Sequence, residues 1–158
     1  MSFAMVLCLA FGLGVVDGLR SLTAPAVACW AIHLGWWRVQ GTPLAFMGSQ
    51  VALVIFSVLA VLELVGDKLP VTPSRTTPFP LVGRLVLGGL TGATLCAAAG
   101  QSWIAGALAG AAGGLAGAFG GYQARVRTVA ALRAPDWVVA LLEDVVAVGG
   151  GFFLASRL

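Results

Sequence analysis

The side chains able to do chemistry in this chain are few. Of 158 residues, six are acidic, nine are basic and one is a histidine. Glu143 and Asp144 are adjacent, so on a helix they point about 100° apart and cannot both face lipid cheaply. Glu63 and Asp67 are four apart and stack on one helical face. Asp17 closes the first apolar run, with Arg20 three residues on. Carboxylates at the ends of apolar helices call for cationic partners, and Lys68, Arg75 and Arg84 are near in sequence. Such a set can bind or pass a small cation, hold an anionic lipid headgroup, or neutralise itself as a structural lock. One His and three scattered Cys (Cys8, Cys29, Cys96) build neither a Ser/His/Asp triad nor a metal-ligand spacing. Neither a catalytic residue, a metal nor a cofactor is expected; His33 reads as an interfacial anchor, and the cysteines as buried structural thiols.

The elements that must position these groups are membrane helices. Hydrophobic residues make up 59% of the chain, charged residues 9%, and the mean hydropathy is +1.00. A soluble domain carries about 25% charged residues. Long apolar runs without strand-like alternation point to helices rather than a barrel. The class is an all-α polytopic membrane protein, a single transmembrane domain over 1–158. Six runs are visible: Phe3–Val16, extendable to Leu19; Leu22–Trp37, short and interrupted by Pro25; Leu44–Val65; Leu81–Ala99; Trp103–Gly121; and Trp137–Ser156. No Lys or Arg precedes the first run, so it reads as a membrane helix rather than a signal peptide. Four prolines, Pro70, Pro73, Pro78 and Pro80, separate the third run from the fourth: a helix should stop near Asp67 and another start near Pro80. Trp36, Trp37, Trp103 and Trp137 fall at run ends, where an aromatic belt would place them.

Seven cations (Arg20, Lys68, Arg75, Arg84, Arg125, Arg127, Arg133) fall in the loops after runs one, three and five, or at their edges; Arg38 and Arg157 fall on the other side. With six crossings this bias puts those loops in the cytoplasm and both termini outside. If Leu22–Trp37 re-enters or breaks, the N-terminus changes sides. The net charge of +3 reads as loop topology, not as nucleic-acid binding.

Run five is nearly a glycine ladder: Gly106/Gly110, Gly110/Gly114, Gly113/Gly117 and Gly117/Gly121 are small-xxx-small pairs. They serve either close packing inside one chain or the seam of a homodimer, which Gly149-Gly150-Gly151 could share. A short likeness between residues 14–24 and 121–131 raises the prospect of two three-helix inverted repeats, 1–79 and 80–158.

On this topology Asp17, Arg20, Glu63, Asp67, Lys68, Arg84, Arg127, Glu143 and Asp144 are the candidate ion- or substrate-binding residues, and most share one membrane level. The leading reading is a small transporter or channel-like protein with a charged site near the cytoplasmic side. The alternatives are a non-transporting scaffold or lipid-binding assembly factor, and a membrane-embedded lipid-phosphate enzyme. Asp17-Gly18-Leu19-Arg20 resembles the Asp-Gly start of the lipid alcohol-phosphotransferase motif, but the further aspartates of that motif are absent. The expected partners are membrane lipid, a second copy of the chain, and a small ion or anionic lipid as ligand.

Four blocks carry a family resemblance: Gly18-Leu19-Arg20-Ser21-Leu22-Thr23-Ala24-Pro25-Ala26-Val27; Glu63-Leu64-Val65-Gly66-Asp67-Lys68-Leu69-Pro70 with Thr72-Pro73-Ser74-Arg75-Thr76; Gly120-Gly121-Tyr122; and Leu141-Leu142-Glu143-Asp144. Together they resemble the DUF4126 family of small bacterial membrane proteins over almost the whole chain. The resemblance implies a bacterial inner-membrane location. It implies no catalytic or binding residue, because the family's function is unassigned.

Overall fold

The computed structural model describes residues 1–66, 78–132 and 136–158. Those residues form six α-helices and one 3-10 turn, with no strand among them. The helices are α1 (Phe3–Leu19), α2 (Thr23–His33), α3 (Gln50–Gly66), α4 (Pro78–Ala98), α5 (Trp103–Leu132) and α6 (Asp136–Ala155); the 3-10 turn is Ala45–Gly48. Three of them are long and apolar enough to cross a membrane: Pro78–Ala98, Trp103–Ala131 and Trp137–Ala155. Helices α1 and α3, at 17 residues each, are about 25 Å long by the 1.5 Å rise.

The second run departs most from expectation. Leu22–Trp37 does not form one spanning helix. Helix α2 has 11 residues, about 16 Å, roughly half of a bilayer core. Its end is fixed by backbone bonding: Gly35 takes φ +79°, its N–H donates to Ile32 O, and the N–H of Trp36 donates to Ala31 O. This is the pattern of a left-handed glycine cap. The irregular segment and 3-10 turn that follow pack into the bundle, with Trp37, Val39, Leu44 and Met47 buried. Trp37 is therefore no belt residue. Its indole N–H donates to Ala155 O at 2.9 Å, which satisfies the polar edge of a buried ring. Trp36, Trp103 and Trp137 are exposed, as is Cys8, whereas Cys29 and Cys96 are buried.

Helix α5 runs past Gly121 to Leu132, so Arg125 and Arg127 stand on a helix and not in a loop. At its other end a second glycine cap makes the turn from α4: Gly100 at φ +67° donates to Ala97 O, and Gln101 N–H to Cys96 O.

The core of the bundle is the three-way contact of α1, α4 and α5. A Cβ placed on Gly110 would sit 2.1 Å from Gly88 O, and one on Gly14 would sit 2.1 Å from Gly110 O. Gly106 approaches Gly92, Gly113 approaches Phe11 and Val15, Gly114 approaches the carbonyl of Arg84, and Gly117 approaches Val15 and Gly18. Lipid tails are as apolar as leucine, so backbone-to-backbone dispersion contact takes over the role that hydrophobic burial has in water. The order of these pairs makes α5 parallel to α1 and antiparallel to α4. Gly120, Gly149 and Gly150 meet nothing within 4 Å, and Gly151 packs on Val27 of α2.

Candidate functional site

The pairings fix which helix ends meet. Arg20 at the end of α1 reaches Asp144 in α6, Glu63 near the end of α3 reaches Ser21 and Leu22 before α2, and Arg84 near the start of α4 reaches Gly18. The C-terminal ends of α1, α3 and α5 and the N-terminal ends of α2, α4 and α6 thus form one polar end of the bundle. Met1 and Leu158 belong to the other.

Glu63 binds the chain just before α2. Its Oε1 accepts the backbone N–H of Ser21 at 2.8 Å and the Ser21 hydroxyl at 2.5 Å, and its Oε2 accepts the N–H of Leu22 at 2.8 Å. Leu22 offers no side-chain cap to α2. A carboxylate from another helix therefore satisfies the donors at the start of α2 and complements its dipole. Sequence reasoning missed Ser21 here because its partner lies 42 residues away.

Arg20 is fully buried and forms an ion pair with Asp144, which is itself buried. Arg84, also buried, donates from Nε to Gly18 O at 3.0 Å and from Nη1 to Pro80 O at 3.3 Å. It binds the last turn of α1, where carbonyls lack intrahelical partners. Glu143 turns to another helix: Arg125 Nη1 lies 3.6 Å from its Oε2, at the partly buried edge of the bundle. Arg127 is exposed on α5. Asp67 and Lys68 lie outside the described residues, as do Arg75 and Arg133.

Asp17 differs from all of these. It is fully buried, and neither carboxylate oxygen makes a hydrogen bond. Its surroundings hold the charges of Glu63 and Arg84 and the backbone of Gly88. The N–H of Gly88 is in reach electrostatically, but it belongs to the hydrogen-bond ladder of α4 and makes no bond of good geometry to the carboxylate. A Cβ on Gly88 would lie 3.4 Å from Asp17 Oδ2, so the absent side chain leaves room for the carboxylate. Two buried hydroxyls, Thr23 Oγ1 and Thr91 Oγ1, are likewise without a hydrogen-bond partner. Thr94 instead donates back to Leu90 O at 2.7 Å.

A cavity of ≈260 Å³ lies between α5 and α6, with Leu19 of α1 on its wall. Its wall is apolar except where Arg125, Thr128 and Glu143 line it. His33 is exposed and packs edge-on to Trp30, with centroids 6.1 Å apart. Among the described residues, no group of three or more His, Cys, Asp or Glu side chains is placed to hold a metal ion.

Comparison with known proteins adds one finding. The chain belongs to the family described as a domain of unknown function, DUF4126, whose family model matches residues 7–156, nearly its full length. No curated protein and no solved structure gives a significant match.

Proposed function

We propose that this member of the DUF4126 family is a small transporter or channel-like protein of the bacterial inner membrane, with its charged site on the cytoplasmic half. The observation that carries this reading is the convergence of Asp17, Arg20, Arg84 and Asp144, all buried, from α1, α4 and α6. Ionisable groups at membrane depth are costly and mark ion or substrate paths. A purely structural lock pairs every charge; here Asp17 has no hydrogen bond. The orientation draws support from the cations. Arg20, Arg84, Arg125 and Arg127 belong to the polar end, and Arg38 and Arg157 to the end that carries both termini. That is the bias expected when the polar end faces the cytoplasm.

Purified chain in proteoliposomes tests this reading. Charge movement on a rapid step of cation concentration is expected for wild type and lost in Asp144→Asn. Liposomes with folded protein and no movement above protein-free controls would remove transport.

One observation favours a second reading. The apolar slot between α5 and α6 has Arg125 on its wall, which suits a lipid chain with an anionic headgroup. A lipid-binding assembly factor would use that slot and would move no charge across the membrane.

A further inference from the structure

Among the described residues, the charged groups of the polar cluster do not balance. Asp17 and Asp144, both buried, and the half-buried Glu63 are three carboxylates, and the buried Arg20 and Arg84 are two guanidiniums, so with all five ionised one negative charge is left over within this set. The pair Arg125–Glu143 is neutral and leaves the sum unchanged. Helix α5 brings no charge to this depth: where it packs on α1 and α4 it offers Gly110, Gly114, Gly117 and Ala118. An uncompensated charge in low dielectric is expensive, so the surplus carboxylate must take up either a proton or a mobile cation.

The oxygen atoms to receive one are present. Arg84, Gly88 and Thr91 are spaced i, i+4, i+7 and form one stripe of α4. Arg84 on that stripe reaches the carbonyl of Gly18, and Gly88 abuts Asp17 Oδ2, so the stripe faces α1. Thr91 is one turn deeper, fully buried, and its hydroxyl is unpartnered. A carboxylate with two unused oxygens lies beside Gly88, and three residues along the same stripe, about 4.5 Å of helix rise, stands a hydroxyl that has not taken its usual i−4 bond, although Thr94 on the same helix has. The depth also fits. Gly18 packs beside Gly114, and Gly114 stands 11 residues along α5 from Trp103. That is about 16 Å, near the middle of a core roughly 30 Å thick.

We propose that Asp17 and Thr91 form a binding site for a dehydrated monovalent cation of sodium size, between α1 and α4. Hard oxygen donors with no nitrogen or sulfur ligand select an alkali ion over a transition metal. The single surplus charge and the nearby guanidinium of Arg84 select a monovalent over a divalent ion. This deepens the transport reading by naming the ion.

Thermal unfolding of the full chain in detergent tests the site, with NaCl, KCl or choline chloride at equal ionic strength. Sodium should raise Tm saturably over choline, by about 3–6 °C at ten times its dissociation constant. Asp17→Asn should abolish the sodium response. Thr91→Val, near-isosteric and without the hydroxyl oxygen, should weaken apparent sodium affinity at least tenfold, whereas Thr94→Val should leave it intact. Equal Tm in sodium and choline overturns the proposal. So does a full sodium response in Thr91→Val, a readout that stands even where Asp17→Asn does not fold. The liposome measurement separates the two ideas: sodium binding without charge movement removes transport and keeps the site, and charge movement indifferent to sodium does the reverse.

Discussion

Gly110→Ala is the most direct probe of what holds this bundle together. Gly110 lies between two other helices. Its own added Cβ would meet Gly88 O at 2.1 Å, and its carbonyl already fills the space in front of Gly14. Ordinary contact begins at 3.4 Å, so the new methyl is 1.3 Å too close (3.4 less 2.1). The obstacle is helix backbone, which cannot rotate away as a side chain can, so α4 and α5 must separate. Overpacking a well-packed core costs about 1–3 kcal/mol, more when backbone must shift. Alanine returns about 1 kcal/mol through helix propensity. Because the separation also loosens contacts at Gly92, Gly106 and Gly114, a net loss of about 2 kcal/mol is expected, or about 4–8 °C in Tm. Gly120→Ala is the control on the same helix. A Cβ there meets nothing within 4 Å, so that variant should match wild type or gain up to about 1 kcal/mol. Both are read by thermal unfolding in detergent, with molecular mass measured alongside. A Gly110→Ala protein as stable as wild type, or less destabilised than Gly120→Ala, would refute the packing argument. Normal monomer stability with a broken dimer would assign the glycine to a seam between copies.

Three further outcomes follow from the polar end and the short helix. Arg20→Met removes the ion-pair partner of the buried Asp144 carboxylate and should cost about 3–5 kcal/mol in a detergent unfolding titration, and Asp144→Leu added to it should recover most of the loss. Glu63→Ala removes the acceptor for two amides before α2, so stability should fall by about 1–2 kcal/mol, with faster hydrogen exchange at Ser21 and Leu22. Trp37→Phe keeps the ring but loses the bond to Ala155 O, a loss of about 1 kcal/mol in the same titration.

The membrane class and most helix limits were legible because bilayer thickness writes itself into apolar run length. Runs one, four and six match α1, α4 and α6 within a few residues. That the helix ends carrying Arg20, Glu63, Arg84 and Asp144 lie at one end of the bundle could be read from helices alternating in direction. Their pairings did not. Glu63 finds its backbone donors 41 and 42 residues away because α2 begins beside it in space. The extension of α5 through Arg125 and Arg127 was hidden because two arginines after a glycine run look like a loop, while a helix leaving the hydrocarbon tolerates charge. Trp37 misled for a related reason: its neighbour Trp36 is exposed, and only the carbonyl of Ala155, 118 residues away, decides which of the two turns inward. Helix α2 was flagged by Pro25, but its length was set by Gly35, one glycine among 22.

The bond from Trp37 to Ala155 bears on biosynthesis. A half-length helix followed by irregular chain cannot rest against lipid, where open amides have no solvent. Until α6 emerges from the ribosome, the indole of Trp37 in the segment after α2 lacks its acceptor. The first third of this protein must wait, shielded by the insertion machinery or held at the surface, for Ala155 at the end of α6. Shortening the tail should therefore unsettle the beginning of the chain before it disturbs the middle.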